Sequence, residues 1–192
     1  MTGEIAEGRV SETPDVSAER VSALVAWHAR LTERRSAGAR ARLRRAGSRA
    51  EAAAEPMALS LLRLLPERES EGALDLARVL AHVKKHEGRV RVMQKAGWKR
   101  FPEGKESEAG EDRPLLSEVR FRRLMQTEPG DASVKAVVRL VAQLDGVVNV
   151  DDLARDFLAW YDPDRRDRVK VKWAKEYYAV RQSDAVVDTN SQ

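Results

Sequence analysis

The sequence predicts an all-α fold, a helical bundle of about seven or eight helices, and three observations carry that prediction. Apolar residues recur at steps of three and four along most of the chain, the period that lines one face of a helix. Glycine and proline fall mostly between those stripes, where they open or end helices. The 192 residues are 42% hydrophobic and 34% charged, which fits one globular unit with a charged exterior and a single core.

In chain order, Val21, Leu24, Val25, His28 and Leu31 form the first stripe, with Asp15 or Ser17 available as N-cap. Residues Ala39 to Ala46 continue helically, and Gly47 suits the left-handed position that closes a helix. Pro56 opens a third helix through Leu65, closed by Pro66. Leu76, Leu80 and Val83 mark a fourth, ending at Gly88. From Arg89 to Pro114 the periodicity is lost, and the glycine, proline and glutamate rich residues 101–114 read as a flexible surface loop. Helical spacing returns with Phe121, Leu124 and Met125. Pro129 and Gly130 then turn the chain, and Asp131 is placed to cap Val134, Val137, Val138, Val141 and Leu144, whose spacing argues for helix against valine's preference for strands. Asn149 and Asp152 resemble a capping pair before Leu153, Phe157 and Trp160. Asp164 precedes a last helix with Val169, Trp173, Tyr177 and Val180 on one stripe. One domain over 16–181 is expected, between a flexible tail over 1–15 and a disordered one over 182–192. Trp27, Trp160, Trp173 and Tyr177 read as core, whereas Trp98 and Phe101 lie in the basic stretch KAGWKRF and are open to core, protein-docking or base-stacking roles.

Several chemistries are excluded or thin. Cysteine is absent, which removes disulfides, thiolate nucleophiles and cysteine-ligated metals. No run approaches the roughly 18 apolar residues of a membrane span, and the N-terminus carries no hydrophobic signal core, so a cytoplasmic protein without a membrane partner is expected. There is no phosphate-cradling GxxxxGK[ST], no GxGxxG after a strand and no GxSxG elbow. His82 and His86, four apart, lack the glutamate of the zincin motif and a third ligand. Asp151, Asp152, Asp156, Asp162, Asp164 and Asp167 could be imagined holding two metal ions, but helix starts account for several of them. No catalytic residue, metal or cofactor is expected.

Charge is more informative than its net value of +4. Residues 1–19 hold five acids and one base, and residues 20–49 then hold nine arginines against the single acid Glu33. Eight bases face two acids over 84–105, five face two over 119–140, and seven face two over 165–181. Such blocks fold either into a salt-bridged exterior or into a basic face for which nucleic acid is the natural partner. Arg40, Arg44 and Arg45, then Arg120, Arg122 and Arg123, then Arg168, Lys172 and Lys175 are expected to point away from the apolar stripes on three separate helices. Nothing dedicates a helix to a DNA groove, so the expected contact is to phosphates, without base specificity.

Three stretches taken together carry a resemblance: Trp27-HARL followed by ARARLRRA, SEVRFRRLM from Ser117 to Met125, and LARDFLAWYDPDRRDRVKVKWAKEYY from Leu153 to Tyr178. In this order and spacing the chain resembles the CasB family, the small subunit of the type I-E CRISPR surveillance complex Cascade. The resemblance implies a non-catalytic, all-α protein of two packed helical lobes, two copies to a complex, lying between the backbone subunits on the CRISPR RNA and the large subunit and helping to hold unwound target DNA. It also implies nucleic-acid contacts for Arg42, Arg44, Arg45, Arg120, Arg122, Arg123, Arg139, Arg165 and Arg166. The small-residue segment that often precedes SE-x-x-RF in the family is replaced here by EAGEDRPLL. A free-standing helical DNA-binding protein and a nuclease using the late aspartates are the rival classes.

Overall fold

The computed structural model describes residues 16–98 and 114–187, with side chains described over 23–98 and 114–179. Among the described residues are ten α-helices, eight of them of seven residues or more: α1 Val16–Thr32, α2 Ala37–Arg45, α3 Arg49–Ala53, α4 Pro56–Leu64, α5 Ser70–Leu80, α6 Val92–Gly97, α7 Glu118–Met125, α8 Asp131–Gln143, α9 Val150–Tyr161 and α10 Pro163–Val187. The fold is an all-α bundle. Helix α5 packs on α2, α3, α4, α8 and α9, and α9 packs on α1, α5 and α10, so these two helices join a lobe built by α1–α4 to one built by α6, α7, α8 and α10.

The predicted stripes form the core. Trp27, Leu31, Trp160, Trp173 and Tyr177 are buried, as are Phe121 and Leu124. Trp160 and Trp173 meet edge to face at 5.0 Å, and Phe121 stacks on Tyr177 at 4.1 Å with the rings 3° from parallel. The valine-rich run is helical in α8, and the Asn149 side chain accepts the Asp152 N–H at 3.2 Å at the start of α9.

Several boundaries differ from the sequence reading. Gly47 does not close α2 in a left-handed conformation; the helix ends at Ala46, at φ −57° and ψ 115°, whose carbonyl oxygen accepts Arg78 Nε at 3.0 Å. Helix α5 stops at Leu80 rather than reaching Gly88, because Lys85–His86 pair in parallel with Val147–Val148, forming strands β1 and β2. The turn into β2 needs Gly146, at φ 75°: its carbonyl accepts the N–H of Lys84 at 2.7 Å and of Lys85 at 3.1 Å, and a Cβ there would lie 2.7 Å from the Lys84 side chain. Helices α3 and α6 fall where no helix was expected. The N-cap of α8 is Gly130, with Ser133 Oγ accepting its N–H at 3.2 Å, and Asp131 is the first helical residue. At α10 the cap is Asp162, which accepts the Asp164 N–H at 3.0 Å. Helix α10 runs to Val187, past the residue where a tail was expected. The expectations for residues 1–15, for Phe101 and for the loop up to Arg113 lie outside the described residues.

The flanks of residues 99–113 are tied together, Leu115 N–H donating to the Trp98 carbonyl at 2.8 Å and Leu116 N–H to that of Ala96 at 3.0 Å. Among the described residues no helix is long and apolar enough to cross a membrane.

Candidate nucleic-acid interface

Helix α2 buries Leu43 and divides its arginines between two tasks. Arg40 is turned inward: its Nε donates to Ala81 O at 2.9 Å and its Nη2 to Val83 O at 2.7 Å, satisfying carbonyls left open at the end of α5. Arg42 forms a two-point pair with the buried Glu55 carboxylate, the Nη2 to Oε2 bond measuring 3.0 Å. Arg44 and Arg45 are exposed, and neither side chain has an ion pair among the described residues. The expectation that Arg40 points outward is therefore corrected: the open carbonyls of α5 draw it in.

Helix α7 turns Phe121 and Leu124 inward, which leaves Arg120, Arg122 and Arg123 exposed as expected. Arg120 donates to Gln143 Oε1 at 2.9 Å and Arg122 to Glu118 at 2.6 Å, while Arg123 has no partner among the described residues. Helix α8 lies alongside and presents Arg139 and Lys135, both exposed and four residues apart on one face. Between the two helices runs a groove of about 600 Å³ whose lining includes Arg120, Arg123, Lys135 and Arg139 and, among the described residues, no carboxylate. Lys135 is the residue that the sequence reading passed over. The signal was present, since it stands one helical turn before Arg139 in the basic block over 119–140.

Helix α10 departs furthest from the expected row. Arg168 and Lys175 are exposed without ion pairs among the described residues, but Lys172 is drawn into an acidic nest. Its Nζ donates to Asp152 Oδ1 at 2.9 Å and to both Asp156 oxygens at 2.8 Å. Burial works to lower the Lys172 pKa, but the hydrogen bonds and charges of Asp156 and Asp152 outweigh it and hold the value above 10.5, so the ammonium is retained. Two further donors complete the nest: Trp173 Nε1 to Asp156 at 2.6 Å and Val92 N–H to Asp152 at 2.9 Å. Arg91 pairs with Glu176 at 2.7 Å beside it. Asp152, Asp156 and Glu176 place oxygens within 4.8 Å of one another, the group with spacing fit for a cation, and the Lys172 ammonium occupies that position. Arg165 reaches the buried Glu69 at 3.4 Å, and Arg166 donates to Trp160 O at 3.0 Å and to Glu128 at 2.8 Å.

The other groups noted in the sequence have local roles. His82 lies past the end of α5 and His86 in β1, where its Nδ1 accepts the Val150 N–H at 3.1 Å, so the two histidines do not share a helix face. Asp151 pairs with Arg155 at 2.6 Å. A buried junction that sequence reasoning missed joins the lobes: Asp75, fully buried, accepts Arg49 at 2.6 Å, Arg78 at 2.7 Å and Tyr161 Oη at 2.7 Å, and Arg78 also donates to Asp131 at 2.7 Å. Trp98 is 39% exposed at the end of α6.

Over residues 39–178 the chain matches the family model of the CRISPR-associated protein Cse2. The chain belongs to the Cse2 family. This family, also called CasB, comprises the small subunits of the type I-E Cascade complex, and it is non-catalytic. Two solved structures from Thermus thermophilus share the Cse2 fold. One is the crystal structure of CasB, 22% identical with a TM-score of 0.59; the other is TTHB189, a CRISPR-associated protein of the Cse2 family from the same species, 24% identical with a TM-score of 0.58. Each alignment covers 85% of this chain and 98% of the other. No curated protein matches. Membership of the Cse2 family gives the chain a nucleic-acid-associated role within a surveillance complex that contains RNA, DNA and other subunits.

Proposed function

We propose that this chain holds target DNA by its phosphates, without reading sequence, and so stabilises the R-loop of a CRISPR RNA-guided complex in which it contacts the backbone and large subunits and a second copy of itself. The observation that carries this reading is the separation of its cations into two sets. Arg40, Arg42, Arg165, Arg166 and Lys172 are bound to acids or carbonyls within the fold, whereas Arg44, Arg45, Arg123, Arg139, Arg168 and Lys175 are exposed without ion pairs among the described residues. A cation left unpaired on a folded surface is available to displace counterions from a phosphate chain. In RNA-guided complexes base pairing with the guide reads sequence, and protein contacts to the backbone tip a near-balanced exchange of strands.

The test uses a reconstituted complex carrying Arg44→Glu with Arg45→Glu, or Arg123→Glu with Arg139→Glu. Assembly and the footprint over the protospacer-adjacent motif are expected to stay at wild-type levels, while strand-opening footprints over the displaced strand decay faster. Wild-type R-loop lifetimes in both variants would refute the reading. Lys172 is left intact, since its loss uncovers two buried carboxylates and tests folding instead.

A further inference from the structure

Helix α8 carries its exposed charges on one line. Asp131, Lys135 and Arg139 follow one another at steps of four, and all three are exposed. The chain enters this helix through Gly130, at φ 123°, which has no side chain to fix the turn, and the apolar face that α8 buries is Val134, Val137, Leu140 and Val141. Apolar packing is non-directional, so it holds a helix down without fixing how it is rolled. A directional contact is needed to set the roll of α8, and with it the aim of Lys135 and Arg139.

The buried Arg78 guanidinium makes that contact, and it reaches three acceptors. Its Nη1 donates to Asp131 Oδ1 and to Asp75 Oδ1, both at 2.7 Å, and its Nε donates to Ala46 O at 3.0 Å. Ala46 directly follows Arg44 and Arg45, and Asp131 begins the line that holds Lys135 and Arg139. One planar group, with its donors at fixed angles, thus joins the end of α2 to the start of α8. Tyr161 adds a second hold on that start, its Oη donating to Asp75 at 2.7 Å and accepting the Gly130 N–H at 3.0 Å. Asp75 pairs with Arg78 independently of Asp131, whose side chain is half exposed.

We propose that Arg78 is a positioning residue for DNA holding: through Ala46 and Asp131 it fixes α2 and α8 relative to each other, so that Arg44 and Arg45 act on the same strand as Lys135 and Arg139. This rests on the reading of exposed cations as phosphate contacts. The test measures binding of the purified full chain to a long deoxythymidine strand over a range of salt, at a temperature well below the melting of every variant. Asp131→Ala cuts the tie to α8 and leaves the buried Arg78–Asp75 pair whole, whereas Asp131→Glu keeps a carboxylate for Arg78. Arg78→Lys keeps the charge and loses the planar fork. Lys135→Gln with Arg139→Gln, made both in wild type and beside Asp131→Ala, reports whether the α8 cations are engaged.

Charge and position predict opposite signs. Asp131→Ala deletes an acid that acts on Lys135, so a role limited to charge tightens binding. Loss of position is expected instead to weaken the strand by roughly threefold or more. The log–log salt slope should then fall in magnitude by about 1.4, at roughly 0.7 for each of two phosphates released. Arg78→Lys is expected to behave alike, and Asp131→Glu to restore both affinity and slope. The glutamine pair should weaken binding in wild type but change it less than about twofold beside Asp131→Ala, since cations already disengaged have nothing more to lose. Tighter or unchanged binding by Asp131→Ala, with the glutamine pair weakening both backgrounds alike, overturns the positioning role and leaves the phosphate-holding reading standing. A glutamine pair without effect in wild type removes α8 from that reading and overturns the proposal with it. A lowered melting temperature with wild-type binding in Arg78→Lys and Asp131→Ala overturns it too, assigning Arg78 to stability alone.

Discussion

His28 lies in the core with 3% of its surface exposed, its Nε2 donating to Val83 O at 3.2 Å. Burial pushes its pKa below 6.5, against the pull of that carbonyl, and the charges of Arg40 and His86 push the same way. His82 is lowered as well, again by burial first and then by Arg44 and Arg40. The unfolded chain takes up protons on both rings near pH 6.5, while the folded chain does so only at lower pH. Between the two values the unfolded state binds more protons, so stability rises with pH; it is complete above 6.5 and is lost on acidification below it. The melting temperature is expected to fall as pH is lowered from about 7.5 to about 5.5. His28→Gln, which keeps a donor for Val83, should flatten that fall, since one proton contributes at most about 1.4 kcal/mol per pH unit. A variant profile as steep as wild type would show that His28 is not the group responsible.

Helix α6 is six residues long and contains a glycine, so neither length nor stripe announces it, and tertiary contacts sustain it, its packing on α10 foremost. Gly97 makes that contact possible: a Cβ there would collide with the Tyr177 carbonyl oxygen, which belongs to the neighbouring backbone and has no rotamer by which to move. Gly97→Ala is expected to part the two helices and cost about 1–3 kcal/mol. Gly47→Ala, whose Cβ would meet only the Glu51 side chain at 3.7 Å, is the control and should melt within a degree or two of wild type. Equal melting of both variants would mean that α6 is not seated as described. The longer elements were legible because each buries a continuous stripe that the spacing displays, as Phe121 with Leu124 and Trp173 with Tyr177 do. Helix α3, five residues long, and the two-residue strands were not, because contacts from far along the chain sustain them.

At the scale of the whole molecule, cations held apart on α2, α7–α8 and α10 should engage several phosphates together. Affinity for DNA is then expected to fall linearly with salt on a log–log plot, with a slope of magnitude about 3 or more, and with no dependence on base composition. A titration that stays flat between low and moderate salt would contradict this. The basic blocks were visible in the sequence, but the division of labour among them was not. Arg42 finds Glu55 13 residues away, Lys172 finds Asp152 20 residues away and Arg165 finds Glu69 96 residues away, so which cations remain free depends on acids that only the folded chain brings near.

The ties from Leu115 to Trp98 and from Leu116 to Ala96 set the two flanks of residues 99–113 side by side. The free energy of closing a segment between fixed ends grows only with the logarithm of its length, about 0.6 kcal/mol for each doubling. A change of length between these tied flanks is therefore expected to cost little in closure, with α6 kept on α10 and α7 in register with α8. Evolution, or a protein engineer, has a port here through which a reporter domain or a new recognition segment can be threaded into the subunit without redesigning it.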